Sequence, residues 1–151
     1  MCSLSNKTTH PTIDVDAVRA KINDNSLRLI DVRREEDYNN GHIPNAVNLP
    51  LASLLSDSSP ESVVKLAEGM GIADDTKVVV YDDTFGALAS RVAWTLQYIG
   101  HNDVALLEVT YSQWKELDLK TSTEKPNVKP TKHSLNLNPD IMATAEYLEN
   151  A

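Results

Sequence analysis

A chain of 151 residues with 41% apolar and 24% charged residues is long enough to form one globular unit with its own core. Its formal charge of −8 repels phosphate backbones and anionic lipid heads, which argues against nucleic-acid and membrane-surface partners. No apolar run approaches the roughly 18 residues of a membrane span, residues 1–10 lack the apolar stretch of a secretory signal, and the single cysteine, Cys2, cannot close an intrachain disulfide, which fits a reducing cytoplasm.

Residues 1–10 read as a tail. Val15, Val18 and Ile22 then recur at helical spacing behind Asp14, a candidate N-cap, and predict a short helix ending near Asn23-Asp24-Asn25. Leu27 to Val32 reads as a buried strand, Glu35 to Asn40 as one polar helical turn stopped by Gly41, and Ala46 to Leu49 as a second short strand. Ser59 and Pro60 suit the cap and first position of a helix whose apolar face is Val63, Leu66, Ala67 and Met70, with Gly71 closing it. Val78-Val79-Val80, within Lys77 to Tyr81, predicts a central strand covered on both faces. A helix beginning near Phe85 carries Leu88, Ala89, Val92, Ala93, Leu96 and Ile99 to Gly100; Val104 to Leu107 gives a further strand and Ser112 to Leu117 a further helix.

This alternation predicts an α/β fold: a mostly parallel central sheet with helices on both faces. Ligands bind such sheets at the carboxyl ends of their strands, so the turn Asp82 to Gly86 is the first candidate site. Composition shifts after Lys120. Residues 121–134 read as a linker, and residues 135–151, with Ile141, Ala145 and Leu148 in helical register, resemble the opening of the chain. They are expected to start a truncated second copy; the other possibility is a lone helix packing back on the domain.

Leu29-Ile30-Asp31-Val32-Arg33, followed by Tyr38-Asn39-Asn40-Gly41-His42-Ile43-Pro44-Asn45-Ala46, resembles the rhodanese domain, and the resemblance covers roughly residues 11–120. Only Asn45 departs from the family's His-Ile-Pro-Gly-Ala, and asparagine is the next-best residue at a left-handed backbone angle. Tyr81-Asp82-Asp83, Gly86, Ala89, Arg91, Trp94 and Gly100-His101 resemble the N-terminal half of tandem thiosulfate and 3-mercaptopyruvate sulfurtransferases. In those proteins the second domain carries the catalytic cysteine, and the first has aspartate at the matching position; here that position is Asp82. A second departure follows β-strand Val104 to Leu107, where Val109 and Thr110 replace a glycine pair.

The chemistry the resemblance implies runs through a cysteine persulfide, held by converging amides at a helix N-terminus. In the pseudo-active loop Asp82, Asp83, Thr84, Phe85 and Gly86, a carboxylate would sit well as an anion but cannot carry sulfur. Cys2, in the tail, is a poor substitute. Asp82-Asp83 does not fit the Asp-x-Asp of an aspartyl nucleophile, and two adjacent carboxylates make a weak metal site; capping the following helix is the favoured role for Asp82. Arg91 is read as an interdomain or anion contact, or as the ion-pair partner of Asp31. Arg33 is read first as structural and otherwise as a similar contact. His42 is read as a hydrogen-bonded turn residue; His10, His101 and His133 lack metal-ligand spacing.

The expectation is therefore a catalytically silent, N-terminal half of a sulfurtransferase, without cofactor or metal. It would bind a second rhodanese-like domain in cis, or a second copy of itself, and the complete protein would take a small sulfur-donor anion. The alternative is a stand-alone, non-catalytic protein-binding module on the same scaffold.

Overall fold

Five short apolar runs pair into one sheet in a computed structural model that describes residues 11–22, 26–56, 59–84 and 86–137. The strands are β1 (Thr12–Ile13), β2 (Leu27–Asp31), β3 (Val47–Asn48), β4 (Lys77–Tyr81) and β5 (Val104–Leu107). All are parallel, in the order β1-β5-β4-β2-β3. The helices are α1 (Val15–Lys21), α2 (Glu35–Asn40), α3 (Leu51–Ser56), α4 (Pro60–Gly69), α5 (Ala87–Tyr98) and α6 (Tyr111–Glu116).

The side-chain alternation of β4 divides the core in two. Val78 and Val80 face Val63, Ala67, Val92 and Leu96 of α4 and α5, while Val79 and Tyr81 face Val18, Tyr38 and Trp114 of α1, α2 and α6. Both faces are covered, as the continuous valine run requires. In β2, Ile30 joins the first cluster and Leu29 the second. Among the described residues, no helix is long and apolar enough to cross a membrane.

The caps follow from local chemistry. Asp14 Oδ1 accepts the Ala17 amide at 2.7 Å and opens α1. Gly71, at φ 78°, closes α4: its N–H donates to Glu68 O, and the Ile72 N–H reaches Ala67 O. Gly100, at φ 106°, closes α5 in the same way, with bonds from Gly100 to Gln97 and from His101 to Leu96. Asn45 holds φ 72° and donates from Nδ2 to Ile22 O at 2.6 Å, so the asparagine both tolerates the turn and ties it to α1.

Several elements differ from the sequence expectation. Thr12–Ile13 is an edge strand, and Leu51–Ser56 a helix, where none was expected. Ser59 occupies the N-cap position of α4, but its side chain makes no capping bond. Helix α5 begins at Ala87 rather than near Phe85, because Gly86 at φ 95° lies outside helical space. Phe85, Cys2, Asn23-Asp24-Asn25 and residues 138–151, which carry much of the suggested second copy, lie outside the described residues.

Residues 121–137 contain no helix or named strand and lie along the domain. Ser122 bridges to His42, Thr131 Oγ1 donates to Ile72 O at 2.7 Å, and the Asn136 amide donates to Ile99 O at 2.9 Å. Val128 packs against the α4–α5 side of the core.

Candidate functional site

Strands β2 and β4 are neighbours with Asp31 in register with Tyr81, so their carboxyl ends place the Asp31-Val32-Arg33 segment beside the turn after β4. Asp82 is the first residue of that turn and is 3% exposed. Its carboxylate is filled with donors from its own chain. Oδ1 accepts the amides of Thr84 at 2.9 Å and Gly86 at 3.0 Å. Oδ2 accepts the amides of Leu88 at 3.0 Å and Ala89 at 2.9 Å and the Thr84 hydroxyl at 2.8 Å. Burial opposes the charge, but the amides of Ala89, Thr84 and Gly86 outweigh it and hold the carboxyl below its ordinary range. Asp82 thus satisfies the open amides of α5, the capping role favoured by the sequence, and it does so with converging N–H groups suited to an anion.

Asp83 turns the other way. Its Oδ1 accepts the Ser112 amide at 3.0 Å and its Oδ2 the Ser112 hydroxyl at 2.8 Å, holding the start of α6. The two carboxylates do not converge. Thr110 completes this junction: its Oγ1 accepts the Gln113 amide at 3.1 Å, while Gln113 Oε1 accepts the Thr110 amide at 2.9 Å. With φ −78° and ψ 167°, Thr110 is ordinary extended backbone, so this turn proceeds without glycine.

Beside the loop, Asp31 is wholly buried and Arg33 answers it. Arg33 Nη2 lies 2.7 Å from Asp31 Oδ2 and donates to Gly41 O at 2.6 Å; Nε is 3.1 and 3.0 Å from the two carboxylate oxygens. Burial works against the guanidinium charge, and the hydrogen bonds and attraction of Asp31 more than restore it. The Tyr81 hydroxyl donates to Asp31 Oδ2 at 2.7 Å and accepts the Ile43 amide at 3.1 Å. Burial and the adjacent carboxylate push Tyr81 well above its usual pKa, so it stays protonated. The Arg33 guanidinium also lies 3.9 Å from the centroid of the Tyr111 ring.

Arg33 is thus held in an intradomain pair with Asp31, and it also lines the open cleft beside the loop. The Asp31–Arg91 ion pair allowed by the sequence is not formed, because Asp31 is taken by Arg33 and Tyr81; Arg91 lies half-buried on α5. His42 is buried in its turn, with Nδ1 at 2.9 Å from Ile43 O and its ring stacked on Tyr38 at 4.0 Å. A cleft of about 630 Å³ opens above the loop between Arg34, Asp83, Thr84, Leu88, Tyr111 and Lys115. Asp82 does not line it. Tyr81 reads from sequence only as part of the Tyr81-Asp82-Asp83 motif, without its bond to Asp31; Tyr111 and the Thr110–Gln113 pair were not anticipated, and of these only the pair had a readable signal, the Thr-x-x-Gln spacing.

A family model for the rhodanese-like domain matches residues 14–117. The chain belongs to the rhodanese-like family. This rhodanese-like chain is 32% identical over 137 residues to the sulfur carrier protein TtuD of Thermus thermophilus, a match covering 83% of this chain and 47% of that protein. It is 31% identical over 131 residues to the 3-mercaptopyruvate sulfurtransferase of Mus musculus, covering 80% and 43%. It spans about half the length of these curated relatives. Among solved structures, SseA from Escherichia coli, described as a 3-mercaptopyruvate sulfotransferase, superposes with a TM-score of 0.74 at 22% identity, over 91% of this chain and 62% of that one. A human single-domain sulfurtransferase superposes with a TM-score of 0.56 at 21% identity over 70% and 96%. At these identities the two structures speak for the rhodanese fold.

Proposed function

We propose that this chain is the non-catalytic half of a tandem sulfurtransferase, with Asp82 standing permanently where a sulfur-carrying cysteine would otherwise sit. The observation that carries this reading is the saturation of the Asp82 carboxylate by four backbone amides and one hydroxyl. Sulfur transfer requires a thiolate to attack the donor's outer sulfur, break its bond to the rest of the donor and keep that sulfur as a persulfide. A carboxylate oxygen has no equivalent step, and this carboxylate already accepts five hydrogen bonds from its own chain.

On this reading the partner is a second rhodanese-like domain bearing the cysteine loop. The donor of the complete protein is thiosulfate or 3-mercaptopyruvate, as the sequence resemblance implies; the name of the Mus musculus relative supports the second. The test is direct: the purified chain is incubated with thiosulfate and cyanide, and thiocyanate is measured alongside the intact mass after donor treatment. The expected result is no turnover above the blank, no gain of one sulfur atom, and the same outcome in Cys2→Ser. Cysteine-dependent turnover overturns the reading.

A further inference from the structure

His101 and His133 lie 32 positions apart and on opposite sides of a contact between the domain and the 121–137 segment. His101 follows Gly100 at the end of α5 and is 1% exposed. The His133 side chain is 2% exposed. Three hydrogen bonds run through the two rings in a line. His101 Nε2 meets Thr76 O at 2.7 Å, His101 Nδ1 meets His133 Nε2 at 2.9 Å, and His133 Nδ1 meets Ser134 O at 2.6 Å.

The proton count of this line is fixed by its ends. A carbonyl oxygen only accepts, so His101 Nε2 and His133 Nδ1 must both carry hydrogen. The central nitrogen–nitrogen bond needs one hydrogen and one lone pair. Four ring nitrogens therefore hold three hydrogens, one more than two neutral imidazoles hold, and the pair carries a single positive charge.

We propose that His101 and His133 form a one-proton latch that fastens the 121–137 segment to the domain and loosens when the pair either gains or loses a proton. A fourth hydrogen sets two N–H groups face to face between two cationic rings. Loss of the third leaves a lone pair facing a carbonyl or another lone pair. The charged groups around the pair match a single positive charge. Asp74 Oδ1 lies 3.5 Å from His133 Nδ1 and also accepts the Ser134 amide. Glu68 Oε2 accepts the His133 amide at 2.9 Å. Asp103, on the His101 side, is itself paired with Lys77 at 3.1 Å. Burial disfavours the excess charge on His101, and Asp74 lies on the His133 side of the pair. The latch is independent of sulfur chemistry.

Linkage gives the sign. Docking favours the singly charged pair over both its neighbours in protonation, so the segment is held best near the ordinary histidine pKa of about 6.5 and less well on either side. The experiment is amide hydrogen exchange of Ser134 and Asn136 in the full chain from about pH 5.5 to 9, where carboxylates stay ionised. Rates are corrected for intrinsic exchange and referenced to Val79 in the core, and the imidazole nitrogens are followed by NMR in parallel. Protection is expected to peak near pH 6.5 and to fall by about tenfold for each pKa unit by which docking displaces a protonation step. At the peak, the two rings together should show three protonated nitrogens. His133→Gln, which keeps a donor toward His101 without titrating, should flatten the alkaline limb, and Asp74→Asn should move that limb to lower pH. A flat wild-type profile, two neutral rings at the peak, or an unchanged alkaline limb in His133→Gln would each overturn the latch.

Discussion

Asp82 and Asp83 are neighbours in the chain and hold the starts of two different helices, α5 through the amides of Gly86, Leu88 and Ala89, and α6 through Ser112. One dipeptide at the end of the central strand thus fixes both elements that flank the loop. The second carboxylate borders the open cleft, while the first is buried and lines a separate, smaller pocket of about 140 Å³ with Gly86, Ala89 and Thr110.

The Asp82 anion makes stability depend on pH in a definite direction. Its folded pKa is depressed, so its contribution is fully present above the ordinary carboxylate value of about 3.9 and is lost as pH falls through the folded value. Asp82→Asn places an amide donor among N–H donors and is expected to cost about 1–3 kcal/mol at neutral pH. Urea unfolding at a series of pH values should show that difference constant from about pH 5 upward and shrinking below about pH 4.

Asp82→Cys tests whether the loop retains the electrostatics of a sulfur site. The same amides would then face a thiolate at a helix N-terminus, which lowers a cysteine pKa. The variant is expected to gain one sulfur atom in mass on treatment with thiosulfate, where the wild type gains none, and to titrate as a thiolate below the usual value of about 8.5 in alkylation-rate measurements. A normal thiol pKa would show that the converging amides have relaxed.

Arg33 is the counter-charge of a carboxylate with no access to water. Arg33→Ala is expected to destabilise the domain by about 3–5 kcal/mol, because Asp31 would be left buried and unpaired. Arg33→Ala combined with Asp31→Asn should recover part of that loss in chemical denaturation, since the stranded charge is then removed as well.

Thr110 replaces a flexible residue with a reciprocal cap. Thr110→Ala removes the bond to the Gln113 amide and should cost about 0.5–2 kcal/mol in thermal or urea unfolding. The double variant Thr110→Ala with Gln113→Ala should cost less than the sum of the two single changes, because the two bonds belong to one motif.

The parts of this structure that could be read from sequence are those in which local chemistry and tertiary packing agree. Val78-Val79-Val80 states a strand buried on both faces, and the spacing of Leu88, Val92 and Leu96 states the helix that covers one of them. Asp82 reads as a cap because it precedes that helix. Thr12–Ile13 could not be read in this way, since two residues become a strand only by pairing with Leu106 and Leu107, far along the chain. Helix α3 was missed because six residues are too few to display a period, although Leu54 is buried. Arg33 and Arg91 compete for Asp31 on paper, and the structure pairs Asp31 with Arg33, two residues further along the same strand end. His101 and His133 carry no mutual signal at all, because a contact between a helix end and an extended segment has no periodicity.

The two glycines that close α4 and α5 have a consequence for where this domain can be cut. A β-carbon on Gly71 would meet Val128 at 2.7 Å, and one on Gly100 would meet the Asn136 carbonyl at 2.7 Å. The family match stops at residue 117, but the groove between these helix ends is filled by residues well past it. Excision at the family boundary would strip the residues fitted against both helix ends and wet the flank on which Val128 rests, so a faithful excised fragment keeps at least Val128 to Asn136.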